Sequence, residues 1–132
     1  MTPNTRRHRG RVLLIEDDPD VIETMEEMLT GLGYHVRTAR NTVQALEAVH
    51  EALPDVVILD LLLPSGRLGW DLMPLLREQD PGLPVIAMTA ASSPDVEHAA
   101  RAHGAFGYIL KPVDLERLDH LLMAALTSRG RS

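Results

Sequence analysis

The feature that most constrains this chain is a regular alternation between short apolar runs and segments with helical periodicity. Runs of four or five mostly apolar residues are typical of strands buried on both faces of a sheet. They occur at residues 12–15, 34–38, 56–59, 85–89 and 106–110. Helical segments separate them, and parallel strands joined by helical crossovers form an open, doubly wound sheet. The pattern therefore predicts an α/β fold with five parallel strands and helices on both faces.

Capping residues and prolines mark where the predicted helices begin. Pro19 suits the first turn of one helix, and Ser93-Pro94 supplies a cap and a first-turn proline for another. Asn41 and Asp114 are side chains that favour the N-cap position. Pro74 must lie in the first turn of the third helix or kink it.

Length and composition indicate one globular domain. The 132 residues are 45% hydrophobic and contain no cysteine, which excludes a disulfide scaffold and thiolate chemistry. No apolar run approaches the roughly 18 residues of a membrane span, and the N-terminus lacks the apolar stretch of a signal peptide. We expect a cytoplasmic domain over residues 11–126, with a basic N-terminal tail at 1–10 and a C-terminal tail at 127–132.

The charge distribution argues against a nucleic-acid-binding face. The whole chain carries a net charge of −6, but six of its thirteen basic residues lie at the two ends. Residues 12–128 carry seven bases against nineteen acids, a net charge of −12. The basic ends have no apolar residues to anchor them, so we expect them to be solvated.

Polar side chains follow four of the five predicted strands. In a doubly wound sheet, ligands bind beyond the carboxyl ends of the strands. The residues expected there are Glu16, Asp17 and Asp18 after strand one, Asp60 after strand three, Thr89 after strand four, and Lys111 after strand five. Carboxylates crowded at one edge repel each other unless a cation compensates, and oxygen-only ligands favour Mg²⁺. No two of the six histidines lie three or four residues apart, so a zinc site is not expected.

This set of side chains suits phosphoryl transfer. With a metal neutralising the cluster, Asp60 can attack a phosphoryl group while Lys111 and the Thr89 hydroxyl hold its oxygens. Lys111 is the only lysine among thirteen basic residues. For any one of these residues, the alternative is that a polar side chain merely ends a buried strand.

In combination, these motifs resemble the receiver domains of two-component response regulators. The matching residues are Glu16-Asp17, Asp60 with Pro64 four residues on, Thr89-Ala90, and Lys111-Pro112 preceded by Gly107-Tyr108. The similarity covers about residues 11–126. It implies a flavodoxin-like strand order of 2-1-3-4-5.

The resemblance implies that Asp60 accepts a phosphoryl group from a sensor histidine kinase or a phosphotransfer protein. Asp17 and Asp60 would bind Mg²⁺ directly, Glu16 through water, and Leu62 through its backbone carbonyl. Such a domain is not a conventional enzyme, because it takes part only in its own phosphotransfer and slow self-dephosphorylation.

The resemblance also implies a switch. Thr89 and Tyr108 would form the switch pair and reshape the face of helix four, strand five and helix five, and Lys111 would lock the active state. That face would contact a downstream protein whose identity the sequence leaves open, and a homodimer through it is a further option. Neither nucleic acid nor a membrane is expected as a direct partner.

Some residues depart from the family pattern or stay undecided. Residues 65–68 make the loop before Gly69 one residue longer than is usual, and Val113 replaces the usual phenylalanine. We expect Asp18 to lie outside the acid pair, beside a helix N-terminus. Trp70 is either a core residue or a partly exposed contact, and the sequence does not decide between them.

Three other functions share part of this pattern. A flavodoxin-like electron carrier has the same topology but needs a phosphate cradle where this chain has Glu16, Asp17 and Asp18. An aspartate-nucleophile phosphatase generally has a second Asp two residues after the nucleophile, where this chain has Leu62. A receiver-like scaffold that works without phosphorylation remains the main alternative.

Overall fold

Five strands and five helices alternate along the part of the chain that the structure describes. The computed structural model describes residues 9–61, 69–90 and 93–129. The strands are β1 Arg11–Ile15, β2 His35–Ala39, β3 Val56–Asp60, β4 Val85–Thr89 and β5 Gly107–Leu110. The helices are α1 Pro19–Gly31, α2 Thr42–Glu51, α3 Leu72–Gln79, α4 Pro94–Ala102 and α5 Leu115–Ser128, and a short 3-10 turn, Gly69–Asp71, precedes α3.

All five strands are parallel and lie in the order β2-β1-β3-β4-β5, as predicted. The predicted strands are confirmed to within a residue at each end. The second strand begins at His35 and not at Tyr34, because the Tyr34 amide donates to the Leu29 carbonyl at the end of α1. The order makes β1 and β3 neighbours at the centre of the sheet, so their carboxyl ends lie side by side.

The predicted caps are present. The side chains of Asn41, Ser93 and Asp114 each accept a hydrogen bond from a backbone amide in the first turn of their helices. Pro74 is the third residue of α3 and therefore lies in its first turn, where the missing amide hydrogen costs no helical bond. Within the described ranges, no helix is both long and apolar enough to cross a membrane.

The sheet separates two apolar cores. One is formed with α1 and α5, which contribute residues such as Leu29 and Leu122. The other is formed with α2, α3 and α4, which contribute Val49, Leu76 and Ala100. Every residue of β3 is buried, as expected for the central strand of a sheet covered on both faces.

Two of the terminal arginines contact acids of the folded domain. Arg9 lies 3.1 Å from a carboxylate oxygen of Asp119, and its guanidinium carbon is 4.8 Å from the centre of the Tyr34 ring. Arg129 lies 2.8 Å from a carboxylate oxygen of Asp80. The last helix, α5, continues to Ser128, two residues beyond the predicted end of the domain. The partners of these arginines come from distant elements, so the end sequences alone did not reveal them.

Candidate functional site

Three carboxylates meet where β1 and β3 end. Glu16, Asp17 and Asp60 each offer an oxygen, and these oxygens all lie within 4.8 Å of one another. Glu16 is only 1% exposed and Asp60 only 5%. Like charges this close and this poorly hydrated repel strongly, so the cluster requires a nearby positive charge.

Lys111 supplies part of that charge. Its Nζ atom lies 2.8 Å from Oε1 of Glu16 and 3.4 Å from Oδ2 of Asp60. Burial by itself lowers the pKa of Lys111, but the hydrogen bonds and charges of these two carboxylates outweigh burial and raise the pKa above its ordinary value. The lysine is therefore held in its charged form between two acids.

The sequence did not predict the pairing of Lys111 with Glu16. The resemblance implied that Glu16 binds the metal and Lys111 a phosphoryl group, whereas the structure places the lysine closest to Glu16. Alternation along the strands explains the contact. Glu16, Asp60 and Lys111 each lie two positions after a strand residue that faces α1 and α5, so their side chains project from that same face; these strand residues are Leu14, Ile58 and Ile109. The status of Lys111 as the only lysine was the one available signal.

Hydrogen bonds fix the acidic loop after β1. The Asp18 side chain accepts from the Asp20 amide and so caps α1, as predicted, while its own amide donates to Oε2 of Glu16. Nη2 of Arg40 donates to the backbone carbonyl of Asp17 at 3.1 Å. The carboxylate of Asp18 thus caps the helix and is not one of the three carboxylates that lie close enough together to hold a metal ion.

Thr89 and Tyr108 lie on the opposite face of the sheet from the charged cluster. Tyr108 is in register with Ala87, and Thr89 with Leu110, so both side chains project from the face that α4 covers. Both are partly exposed. The backbone amide of Lys111 donates to the Thr89 carbonyl at 2.8 Å, which links the ends of β4 and β5.

The donor set fits Mg²⁺. Three carboxylates on two adjacent strands provide hard oxygen ligands at one point, which is the chemistry that this ion selects. Leu62, expected to add a backbone carbonyl, lies outside the described residues, as do Pro64 and residues 65–68.

After the undescribed stretch, the chain returns directly beside Asp60. The Gly69 amide donates to the Leu61 carbonyl at 2.7 Å. A Cβ atom on Gly69 would lie 3.0 Å from the backbone oxygen of Asp60 and 3.1 Å from the Leu59 side chain. Only glycine allows this close approach without displacing a neighbour. Trp70, which the sequence left undecided, is a core residue with 7% exposure.

Comparison with known proteins agrees with this geometry. Residues 12–123 match the family model described as the response regulator receiver domain. The chain is 36% identical to the response regulator protein PilR of Pseudomonas aeruginosa over 92% of its length, and 35% identical to the DNA-binding transcriptional regulator NtrC of Escherichia coli over 90%. It spans about a quarter of the length of these relatives, covering 27% of PilR and 25% of NtrC.

A solved structure shows the same fold. A two-component response regulator from Clostridium difficile is 26% identical and superposes with a TM-score of 0.84. The match covers 94% of this chain and all of that one.

Proposed function

This chain belongs to the response regulator receiver domain family, and we propose that its phosphoacceptor is Asp60. The observation that carries the proposal is the position of this carboxylate. It is buried at the end of the central strand, 3.4 Å from the only lysine and within 4.8 Å of two further carboxylates. Clustered acids, two of them buried, at the carboxyl edge of a parallel sheet mark a functional site in this class of fold.

The proposed reaction transfers a phosphoryl group from a phosphohistidine to Asp60. A carboxylate oxygen attacks phosphorus, the phosphorus–nitrogen bond breaks, and the imidazole keeps the bonding electron pair. The ring leaves in neutral form when its other nitrogen is protonated. Mg²⁺ held by Glu16, Asp17 and Asp60 would offset the charge of the carboxylates and of the phosphoryl oxygens.

Lys111 and Thr89 would hold the phosphoryl group. The lysine already lies between two carboxylates, and an acyl phosphate on Asp60 would place new negative charge within its reach. The Thr89 hydroxyl stands at the end of the adjacent strand. Its displacement toward the phosphoryl group would free space on the α4 side of the sheet, into which the Tyr108 ring would turn.

The proposed partners are a sensor histidine kinase or phosphotransfer protein on the input side and a downstream protein on the output side. The face formed by α4, β5 and α5 suits the second role, because Phe106, Leu110 and Leu115 are 37%, 40% and 43% exposed there. A second copy of this chain is the alternative partner for this face, which would give a homodimer. The domain would act as a signalling module, with its own phosphotransfer and slow self-dephosphorylation as its only chemistry.

Phosphorylation by a small donor tests the acceptor directly. Acetyl phosphate with Mg²⁺ should add one phosphoryl mass to the intact chain, because the donor needs only a metal-activated carboxylate. Asp60→Asn should abolish the added mass, and Asp17→Asn should raise the Mg²⁺ concentration required. Asp18→Asn is the matched control, since its carboxylate caps α1, and it should be labelled normally. The assignment is falsified if Asp60→Asn is labelled as well as the wild type, which would favour a scaffold that works without phosphorylation.

A further inference from the structure

The C-terminal end of α4 is held by an aromatic stack. The rings of Trp70 and His103 are parallel to within 5°, with their centres 4.8 Å apart. Trp70 is buried in the core that α3 and α4 share, whereas His103, the C-cap residue of α4, is exposed. A stacked pair of this geometry contributes more stabilising free energy than the burial of its surface alone would give.

An arginine of α3 fixes the same end of α4. Nη2 of Arg77 donates to the Gly104 carbonyl at 2.7 Å, and Nη1 donates to the His103 carbonyl at 3.4 Å. Both residues follow Ala102, the last residue of α4, so their carbonyls have no partner within the helix. Gly104 has a φ of +82°, and a Cβ atom there would lie 2.8 Å from Nη1. The ring stack and the arginine together leave this end of α4 little freedom to move relative to α3.

The other side of the stack begins at the proposed acceptor. Gly69, the residue before Trp70, packs against the backbone oxygen of Asp60 and donates its amide to Leu61. The end of β3 is therefore connected to His103 by the close approach of Gly69, the peptide bond to Trp70 and the ring stack. Because well-packed contacts transmit small shifts, a displacement of the backbone at Asp60 has to be accommodated in the stack.

We propose that the Trp70–His103 stack couples the backbone of the acceptor at Asp60 to the position of α4. The inference rests on the proposed function and adds a second route by which the acceptor can affect the face formed by α4, β5 and α5. The Thr89–Tyr108 pair would act across the sheet, whereas the stack acts on the C-terminal end of α4. By thermodynamic linkage, breaking this contact should remove the stack's share of the effect that a group bound at Asp60 has on α4.

The single tryptophan makes the coupling measurable. Beryllium fluoride with Mg²⁺ serves as the probe, because it occupies the place of a phosphoryl group on a carboxylate, and fluorine NMR measures its saturation independently. Trp70 emission and the hydrogen exchange of α4 amides are then compared with and without the probe. The variants are His103→Ala, which removes the stacked ring, and His103→Phe, which restores a flat ring. His98→Ala is the matched control, since it removes an exposed histidine of the same helix.

In the wild type and in His98→Ala, saturation should change both Trp70 emission and the exchange of α4 amides. In His103→Ala, the probe should still bind, but its effect on α4 exchange should fall by about 2- to 10-fold, as expected from losing one aromatic contact. His103→Phe should recover most of the effect. A general loss of stability would alter exchange throughout the chain and would not depend on the probe.

The outcomes separate this inference from the proposed function. If saturated His103→Ala shows the wild-type change in α4 exchange, or if Trp70 emission in the saturated wild type does not change, the coupling is refuted and the acceptor assignment stands. If the wild type binds no beryllium fluoride, the acceptor assignment fails and this inference falls with it.

Discussion

Neutralising Asp60 should stabilise the protein when no metal is present. Its carboxylate oxygen lies no more than 4.8 Å from those of Glu16 and Asp17, and each repulsion at that distance is about 3.5 kcal/mol at an effective dielectric of about 20. The attraction to Lys111 at 3.4 Å is about 5 kcal/mol on the same scale. The repulsions exceed the attraction by about 2 kcal/mol. Asp17 is partly exposed, and solvent around it weakens its repulsion of Asp60, so Asp60→Asn should raise the free energy of unfolding by about 1–2 kcal/mol.

Urea unfolding in EDTA measures this gain. With an m-value of about 2 kcal/mol per molar urea, the midpoint of Asp60→Asn should lie about 0.5–1 M above that of the wild type. Added Mg²⁺ should raise the wild-type midpoint more than that of the variant, because the ion binds the native carboxylates, and the gap should narrow. Salt at about 1 M should also narrow the gap between the two midpoints, because it screens the repulsion between the carboxylates.

A second aspartate provides the control for this measurement. Oδ2 of Asp55 accepts from the Arg11 amide at 2.8 Å, so Asp55→Asn loses a favourable charge-assisted bond and should not stabilise. If Asp60→Asn proves less stable than the wild type in EDTA, then Lys111 outweighs the two repulsions. The view of this site as an acid cluster strained by its own charge would then be wrong.

Three further outcomes are expected. Because the pKa of Lys111 is raised, the stabilisation that Lys111 provides should be complete below about pH 10.5 and should be lost as the pH rises through the raised pKa. The urea midpoints of Lys111→Met and the wild type should therefore converge at alkaline pH. Gly104→Ala should cost about 1–2 kcal/mol because of its positive φ, whereas Gly31→Ala, with open space around it, should gain about 0.4–1 kcal/mol in the same urea assay. Loss of the phosphoryl group by hydrolysis should be slow, because the side chains two residues after Asp60 and two after Thr89, Leu62 and Ala91, cannot hydrogen-bond the attacking water. The double change Leu62→Asn with Ala91→Glu should accelerate the decay of the phosphoryl mass, and an unchanged rate would contradict this explanation.

The sequence predicted the fold because its signals are local. Four-residue apolar runs and capping residues such as Asn41 and Ser93 depend only on near neighbours, and the structure confirms them. Neighbouring strand ends then bring Asp60 beside Glu16 and Asp17, so the acid cluster followed from the predicted order.

Contacts between distant side chains could not be predicted in the same way. The pairing of Lys111 with Glu16 depends on how far a lysine reaches across the sheet, which periodicity does not record. The partner of Trp70 is His103, which lies at the end of a different helix. Arg129 was expected to lie in a solvated tail, but its Nη2 atom lies 2.8 Å from Oδ2 of Asp80. In each case the decisive neighbour lies far along the chain.

The strand order also has a consequence for how the protein is made. β1 and β3 are adjacent in the sheet, but β2 and two helices separate them along the chain. During synthesis Glu16 emerges first, Asp60 follows 44 residues later, and Lys111 follows 51 residues after Asp60. A chain cut short before Lys111 therefore contains the three carboxylates without the lysine that pairs with two of them. Under the proposed function, such incomplete copies cannot compete for the phosphoryl donor.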